Sequence, residues 1–211
     1  MKITIIYDNT AAVEELTADW GFACLIEFGG KNILFDTGAR GDILLGNMEK
    51  LKISPENIDL IFISHAHWDH TGGLSDILKI NNPKLYIPKG YDPPEAAKNV
   101  IKVTGSVRIA ENIHSTGVLE NIEQSLIVKT AEGPMIIAGC SHPGVGNILK
   151  AASQFGKCFA LIGGFHGFDD YKLLEELTVV CPTHCTQHID EIKEKYPKKY
   201  IEGGAGKVIE L

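Results

Sequence analysis

The segment His65-Ala66-His67-Trp68-Asp69-His70 places three imidazoles and a carboxylate within a single short stretch of chain. His65 and His67, two apart in extended chain, can face the same way. Asp69 and His70 follow where the chain leaves the extended run, so they can aim at a neighbouring spot. The spacing therefore allows the four ligands to be divided between two adjacent metal positions. Burying these groups together without a metal would leave many donors and acceptors to satisfy. Imidazole and carboxylate ligands suit zinc, iron or manganese. A bound metal lowers the pKa of water from ~15.7 towards ~7, so hydrolysis by a metal-bound hydroxide is the expected chemistry.

Further ligands are expected at other strand ends. The apolar run Met135–Gly139 leads into Cys140-Ser141-His142-Pro143-Gly144, Ala160–Gly164 into Phe165-His166-Gly167, and Val179–Cys181 into Pro182-Thr183-His184-Cys185. Each delivers one histidine. Cys140 and Cys185 sit beside these histidines, where a thiolate is a capable zinc ligand, but a small buried residue at a strand end is the favoured reading. Cys24, Cys158 and Cys181 lie in apolar runs and read as packing. His114 reads as exposed or loop-bound, and Trp68 as packing against the floor of the site. His188, one helical turn beyond His184, is in a position to face it. Gly203-Gly204-Ala205-Gly206 has no following helix with a suitable Lys and reads as a turn rather than a phosphate loop.

The elements that must position these residues are legible as alternating apolar runs. Strands are expected at Lys2–Tyr7, Phe22–Phe28, Asn32–Asp36, Asp59–Ser64, Lys84–Pro88, Ser106–Ala110, Ser125–Thr130, Pro134–Gly139, Cys158–Gly163, Thr178–Cys181, Lys199–Glu202 and Lys207–Leu211. Helices are expected at Gly41–Leu51, Gly73–Ile80, Pro93–Lys102, Gly144–Phe155, Asp170–Leu177 and Thr186–Tyr196. Gly72 and Gly73 give the backbone freedom to turn after the metal motif. Ser54-Pro55-Glu56 reads as a helix cap with Pro at the first position. Two groups of strands, each mixed with helices, predict two sheets packed face to face under helices, with one doubly wound sheet as the alternative. No internal repeat or long linker interrupts the 211 residues, which read as one α/β domain.

Composition narrows the class. The net charge of −7 gives no help in binding a polyanion, so no nucleic-acid partner is expected. No apolar segment approaches the ~20 residues needed to cross a bilayer, so no membrane partner is expected either. The N-terminus reads at once as a strand, not an export signal, and five cysteines are an odd number. A reduced, cytoplasmic protein is the expectation.

The H-x-H-x-D-H segment from His65 to His70 resembles the hallmark of the metallo-β-lactamase superfamily, and the resemblance extends from Ile33-Leu34-Phe35-Asp36-Thr37-Gly38 to the C-terminal strands. It implies an αββα four-layer sandwich with two packed mixed sheets flanked by helices. It also implies a first metal held by His65, His67 and His142, a second held by Asp69, His70 and His184, and Asp36 bracing the site. Glu123-Gln124-Ser125-Leu126, Gly139–Gly144, Gly163-Gly164-Phe165-His166 and Pro182–Thr186 resemble the narrower branch named for 7,8-dihydropterin-6-methyl-4-(β-D-ribofuranosyl)aminobenzene 5′-phosphate synthase. The chain departs from the wider family at Gly163-Gly164-Phe165-His166, where many members carry a metal-bridging aspartate. His166 replaces that ligand, or holds substrate, or donates a proton. The missing anionic bridge predicts one tight and one weaker metal.

The resemblance and the residues together imply one or two Zn²⁺ per chain, with Mn²⁺ or Fe²⁺ also compatible, and Asp69 and His166 in the catalysis. The expected substrate is a small molecule with an ester-type centre, a phosphoester first. A synthase-type transferase joining a pterin-type amine to a sugar phosphate is the alternative. A non-catalytic metal or ligand sensor is the reading outside enzymology.

Overall fold

The computed structural model describes all residues from Met1 to Leu211, and the chain forms two compact units. The first comprises Met1–Val103 and Gly203–Leu211, the second Thr104–Glu202. Each is built on one mixed sheet with its own helices.

The first unit carries strands β1 (Lys2–Tyr7), β2 (Ala23–Phe28), β3 (Lys31–Phe35), β4 (Leu60–Phe62), β5 (Lys84–Pro88) and β6 (Val100–Val103), with the last strand of the chain, β13 (Val208–Glu210), at the edge. Their order is β13-β1-β2-β3-β4-β5-β6. The pairs from β13 to β3 are antiparallel and those from β3 to β6 are parallel. Helices α1 (Gly41–Lys50) and α3 (Leu74–Ile80) bury Leu44, Met48, Leu74, Ile77 and Leu78 against alternate strand residues such as Leu34, Ile61 and Leu85. The intervening strand residues are also buried, with the Phe35 and Phe62 rings stacked at 5.5 Å. Strands covered on both faces are rich in Ile, Leu and Val for that reason. A short helix, α2 (Trp68–Thr71), sits between β4 and α3.

The second unit has strands β7 (Val107–Ala110), β8 (Ile113–Ser115), β9 (Leu126–Lys129), β10 (Pro134–Ala138), β11 (Ala160–Gly164) and β12 (Val179–Thr183), in the order β12-β11-β10-β9-β8-β7. Here β10, β11 and β12 are mutually parallel and the rest antiparallel. Helices α4 (Val145–Ala152) and α5 (Ile189–Lys195) pack Val145, Ile148, Ala152 and Ile192 onto Ile136, Leu161 and Val180. No helix of either unit is long and apolar enough to cross a membrane.

Several sequence expectations need correction. The helix expected over Pro93–Lys102 does not form. Consecutive prolines open that stretch, Ala97 N donates to Pro94 O at 3.0 Å across a tight turn, and Asn82 fixes that turn through its side chain, donating to Ala96 O at 2.7 Å and accepting from Lys98 N at 3.0 Å. The β-branched Val100, Ile101 and Val103 then pair as β6. Asp170–Leu177 contributes only a 3-10 turn at Tyr171–Leu174, and Lys199–Glu202 makes one bridge, Tyr200 to Val180, rather than a strand. Ser54-Pro55-Glu56 opens a 3-10 turn with Pro first, but the Ser54 side chain does not cap it. His114 is not in a loop. It lies on β8, with its ring 4.6 Å from that of Phe155, and partial burial pulls its pKa down.

Candidate metal centre

In both units the chemistry-bearing residues lie at the carboxyl ends of parallel strands, where side chains from neighbouring strands converge. In the first unit these are Asp36 after β3 and His65 to His70 after β4. Asp36 turns at φ 53°, a left-handed conformation that Asp tolerates better than most residues. Its carboxylate is fully buried. Oδ1 accepts from Ser64 N at 2.7 Å, and Oδ2 accepts from Ser64 Oγ at 2.7 Å. His70 Nδ1 also lies 2.7 Å from Oδ2.

These contacts set two tautomers. A carboxylate offers only lone pairs, so His70 carries its proton on Nδ1 and turns the lone pair of Nε2 outward. Ser64 gives its single proton to Asp36, so towards His65 Nδ1, at 2.9 Å, its oxygen can only accept. His65 therefore also keeps its proton on Nδ1 and presents Nε2 as a donor of electrons. One buried aspartate thus prepares two imidazoles, the outer support that metal-binding histidines usually need. Asp36 has the bracing position that the resemblance implies.

The separation of His65 Nε2 and His67 Nδ1, 3.1 Å, tests whether a metal fits. Two nitrogens bound at ~2.0–2.1 Å to one tetrahedral Zn²⁺ lie roughly 3.3 Å apart, so the pair is spaced as a chelate. The His65 ring is also 4.2 Å from that of His70. Asp69 Oδ2 lies 4.0 Å from His70 Nε2 and accepts the indole N–H of Trp20 at 2.8 Å. The donor set of the first unit fits a metal in both chemistry and spacing.

Gly72 and Gly73 are required for a reason other than turning. Both have ordinary helical φ values, −62° and −83°. A Cβ on Gly72 would lie 1.9 Å from Ala39 O, and one on Gly73 2.4 Å from Thr37 O. The loop after β3 runs directly against the His65–His70 segment, and Gly72 N donates to Gly38 O at 2.9 Å. Trp68, expected at the floor of the site, is instead 64% exposed. It opens α2, whose buried residues are its neighbours Asp69 and His70.

In the second unit three parallel strands end in turn on Ser141-His142, His166 and His184. Ser141, His166 and His184 all have left-handed φ values between 49° and 58°. Such strained backbone persists only where surrounding contacts over-determine it. Glu123 supplies them for the first turn. Its fully buried carboxylate accepts N–H bonds from Gly139, Cys140 and Ser141 on Oε1 at 2.9, 3.0 and 3.2 Å, and from His142 on Oε2 at 3.0 Å. Ser141 Oγ donates to Gly164 O at 2.6 Å, tying the β10 and β11 ends together. Thr186 Oγ1 accepts from Phe165 N at 2.9 Å and donates to Thr183 O at 2.7 Å, tying β11 to β12.

The rings of His142 and His166 are neighbours, with centroids 5.1 Å apart. The end of β11 has no room for an aspartate at its glycines. A Cβ on Gly163 would lie 2.0 Å from Ala138 O, and one on Gly164 2.4 Å from Gly139 O. The first side chain able to leave this strand end towards solvent is His166, which is exposed. Cys140 and Cys185 are both buried, and a hydrogen bond from the Cys140 thiol, with His184 and His166 nearby, brings the Cys185 thiol down to about 6 against the effect of its burial. Cys24 and Cys181 are packing residues in fully buried strand positions. His188 does not join the other histidines of this unit in any ring contact. It lies at the start of α5 with Nδ1 3.1 Å from Glu191 Oε1.

The family model of the metallo-β-lactamase superfamily matches residues 19–145, more than half of the chain. The chain belongs to the metallo-β-lactamase superfamily. Its fold is shared with a solved metal-dependent hydrolase of the β-lactamase superfamily, at 26% identity and a TM-score of 0.82 over 100% of this chain and 99% of that one. The short form of human tRNase Z shares the fold at 16% identity and a TM-score of 0.68, over 100% of this chain and 99% of that one. Among curated relatives, the 7,8-dihydropterin-6-methyl-4-(β-D-ribofuranosyl)-aminobenzene-5′-phosphate synthase of Methanocaldococcus jannaschii is 29% identical, covering 86% of this chain and 85% of its own length. The two mixed sheets with flanking helices are thus those of the superfamily. His65, His70, Cys140, His142 and His184 are among the side chains able to hold a metal ion.

Three supporting residues were not anticipated. Ser64 was hidden as the last residue of an apolar strand. Glu123 stood out only in the narrower resemblance. Trp20 stood out only within Trp20-Gly21-Phe22, which fits the same branch less tightly, and nothing in a sequence places residue 20 beside residue 69.

Proposed function

We propose that this chain is a metal-dependent hydrolase of an ester-type small molecule, with a phosphoester as the substrate class. The observation that carries the reading is the His65–His67 nitrogen pair at 3.1 Å, with the tautomers of His65 and His70 set through Asp36. His65, His67 and His142 are the proposed ligands of a first metal, and Asp69, His70 and His184 those of a second, with Zn²⁺ favoured. A metal held there would polarise the substrate and acidify water. The chain's own contribution is to hold the ligand tautomers, to fix the His142 turn through Glu123, and to offer His166 as a proton donor to the leaving group. Asp69 is proposed to act at the same centre as both ligand and proton acceptor.

A small-molecule substrate fits the net charge of −7 better than a nucleic acid. A cytoplasmic setting belongs to the same reading, as it would keep Cys140 and Cys185 reduced. Likeness to the Methanocaldococcus jannaschii synthase favours a second reading, a transfer reaction on a phosphorylated sugar carrying an aminobenzene group. The test is turnover of a panel of phosphomonoesters and phosphodiesters with added Zn²⁺ or Mn²⁺, comparing the protein with its His67→Ala variant. Metal-dependent turnover that the substitution abolishes supports the hydrolase. Inertness across the panel, with attack of a ribofuranosylaminobenzene phosphate nitrogen on a dihydropterin whose 6-methylene carries a phosphate-type leaving group, expelling that group and a proton, favours the transferase.

A further inference from the structure

Trp20 is a large aromatic residue that is 49% exposed. The segment around it is pinned on both sides: Thr17 N donates to Asn47 Oδ1 at 2.9 Å, Asp19 N to Asp8 O at 3.1 Å, and Gly21 N to Asn9 Oδ1 at 3.2 Å. From this fixed base the indole N–H reaches Asp69 Oδ2 at 2.8 Å.

Two further contacts run from the same segment to the same residue. Phe22 N donates to Asp69 O at 3.3 Å, and a Cβ on Gly21 would lie only 2.6 Å from that carbonyl. Residues 20 to 22 therefore grip Asp69 by its carboxylate and its carbonyl together. Asp69 is buried, and a buried carboxylate oxygen needs a partner. A neutral N–H satisfies one without introducing a charge that would compete with a cation.

We propose that Trp20 is a positioning residue for the second metal: its indole N–H occupies Oδ2 of Asp69 and so fixes how that carboxylate is presented to the ion. The inference rests on the metal-centre reading above and adds to it a residue outside the ligand set. Trp20 touches a ligand and not the reacting atoms, so its loss acts on the metal first. Trp20→Phe keeps an aromatic ring and deletes only the donor. Loss of such a support typically weakens metal binding 10- to 100-fold, and the weaker of the two metals is the one affected.

The test uses Co²⁺ and Zn²⁺ with the full chain. Co²⁺ titrations followed by visible absorption compare the unmodified protein with Trp20→Phe. The expected result is an unchanged first equivalent, a second equivalent weakened on the order of 10-fold or more, and an altered d–d band for that second ion. The Trp68→Phe variant gives an independent readout, since Trp20 is then the sole indole and Trp68 is exposed. Its emission should change as the second equivalent of Zn²⁺ binds and not as the first does. Equal affinity and an identical second-ion spectrum in Trp20→Phe would overturn the proposal, as would Trp20 emission indifferent to Zn²⁺. If the unmodified protein takes up no metal, or if His67→Ala takes up as much, the metal reading itself fails and takes this inference with it.

Discussion

Asp36→Asn isolates the contribution of one buried carboxylate, because Asn is nearly isosteric and tolerates the left-handed φ of 53°. The amide oxygen can still accept from Ser64 N, but an NH₂ group replaces Oδ2 and faces two donors, Ser64 Oγ and His70 Nδ1. Hydrogen bonds to a charged group contribute about 1.5–3 kcal/mol each. The Ser64 hydroxyl can rotate away at modest cost, whereas His70 must move its proton to Nε2 to avoid a donor–donor clash. We expect a stability loss of about 2–4 kcal/mol, within the 5–15 kcal/mol of a typical domain, so the variant still folds. A proton on His70 Nε2 removes the lone pair that a metal needs, so metal affinity should fall on the order of 10- to 100-fold. Urea denaturation of the metal-free protein measures the first effect, and chelator competition the second. An Asp36→Asn protein with unchanged metal affinity would refute the tautomer argument, even if its stability fell as predicted.

Other outcomes follow from contacts elsewhere. Glu123→Gln replaces the acceptor facing His142 N with a donor, and should cost about 2–4 kcal/mol by denaturation while weakening the metal that depends on His142. Gly72→Ala forces the His65–His70 segment away from Ala39 O and should destabilise the protein by more than about 2 kcal/mol, read as a lowered Tm, whereas the half-buried Gly46→Ala, with open space around its Cβ, should change stability by less than about 1 kcal/mol. His166→Ala should lower the rate on substrates with poor leaving groups far more than on activated esters, if His166 donates the proton; equal losses on both would remove it from that role.

The strand ends that carry the candidate ligands were legible because both sheets follow simple rules. Apolar runs marked β1 and β5 to the residue, and nearly all the other strands to within a residue or two. Each candidate histidine was expected just beyond such a run, and Asp36, His65, His142, His166 and His184 lie there. The errors came where local propensity competed with a distant partner. The helix expected over Pro93–Lys102 overlooks the β-branched run that follows its prolines and that β5 takes as a parallel neighbour, and Ile113-His114-Ser115 is too short and polar to register before β9 pairs with it. Trp68 departs from its expected place for the same reason. A bulky residue inside a motif suggests a packed floor, yet Trp68 points to solvent, while Trp20 is joined to the motif by one hydrogen bond across 49 positions. Gly72 and Gly73 were recognised, but their role depends on the Thr37–Ala39 loop, which no local pattern announces.

Everything proposed for this chain depends on the histidine-rich strand end holding metal. Metal content per chain, by elemental analysis of protein purified without chelator or affinity tag, tests it most directly. One metal should be retained after exhaustive dialysis and a second recovered on resupply, and His67→Ala should lose the retained metal. Two metals surviving dialysis would contradict the weakened second position that the absent bridging aspartate implies. No metal in the unmodified protein, or an undiminished content in His67→Ala, would contradict the metal centre itself.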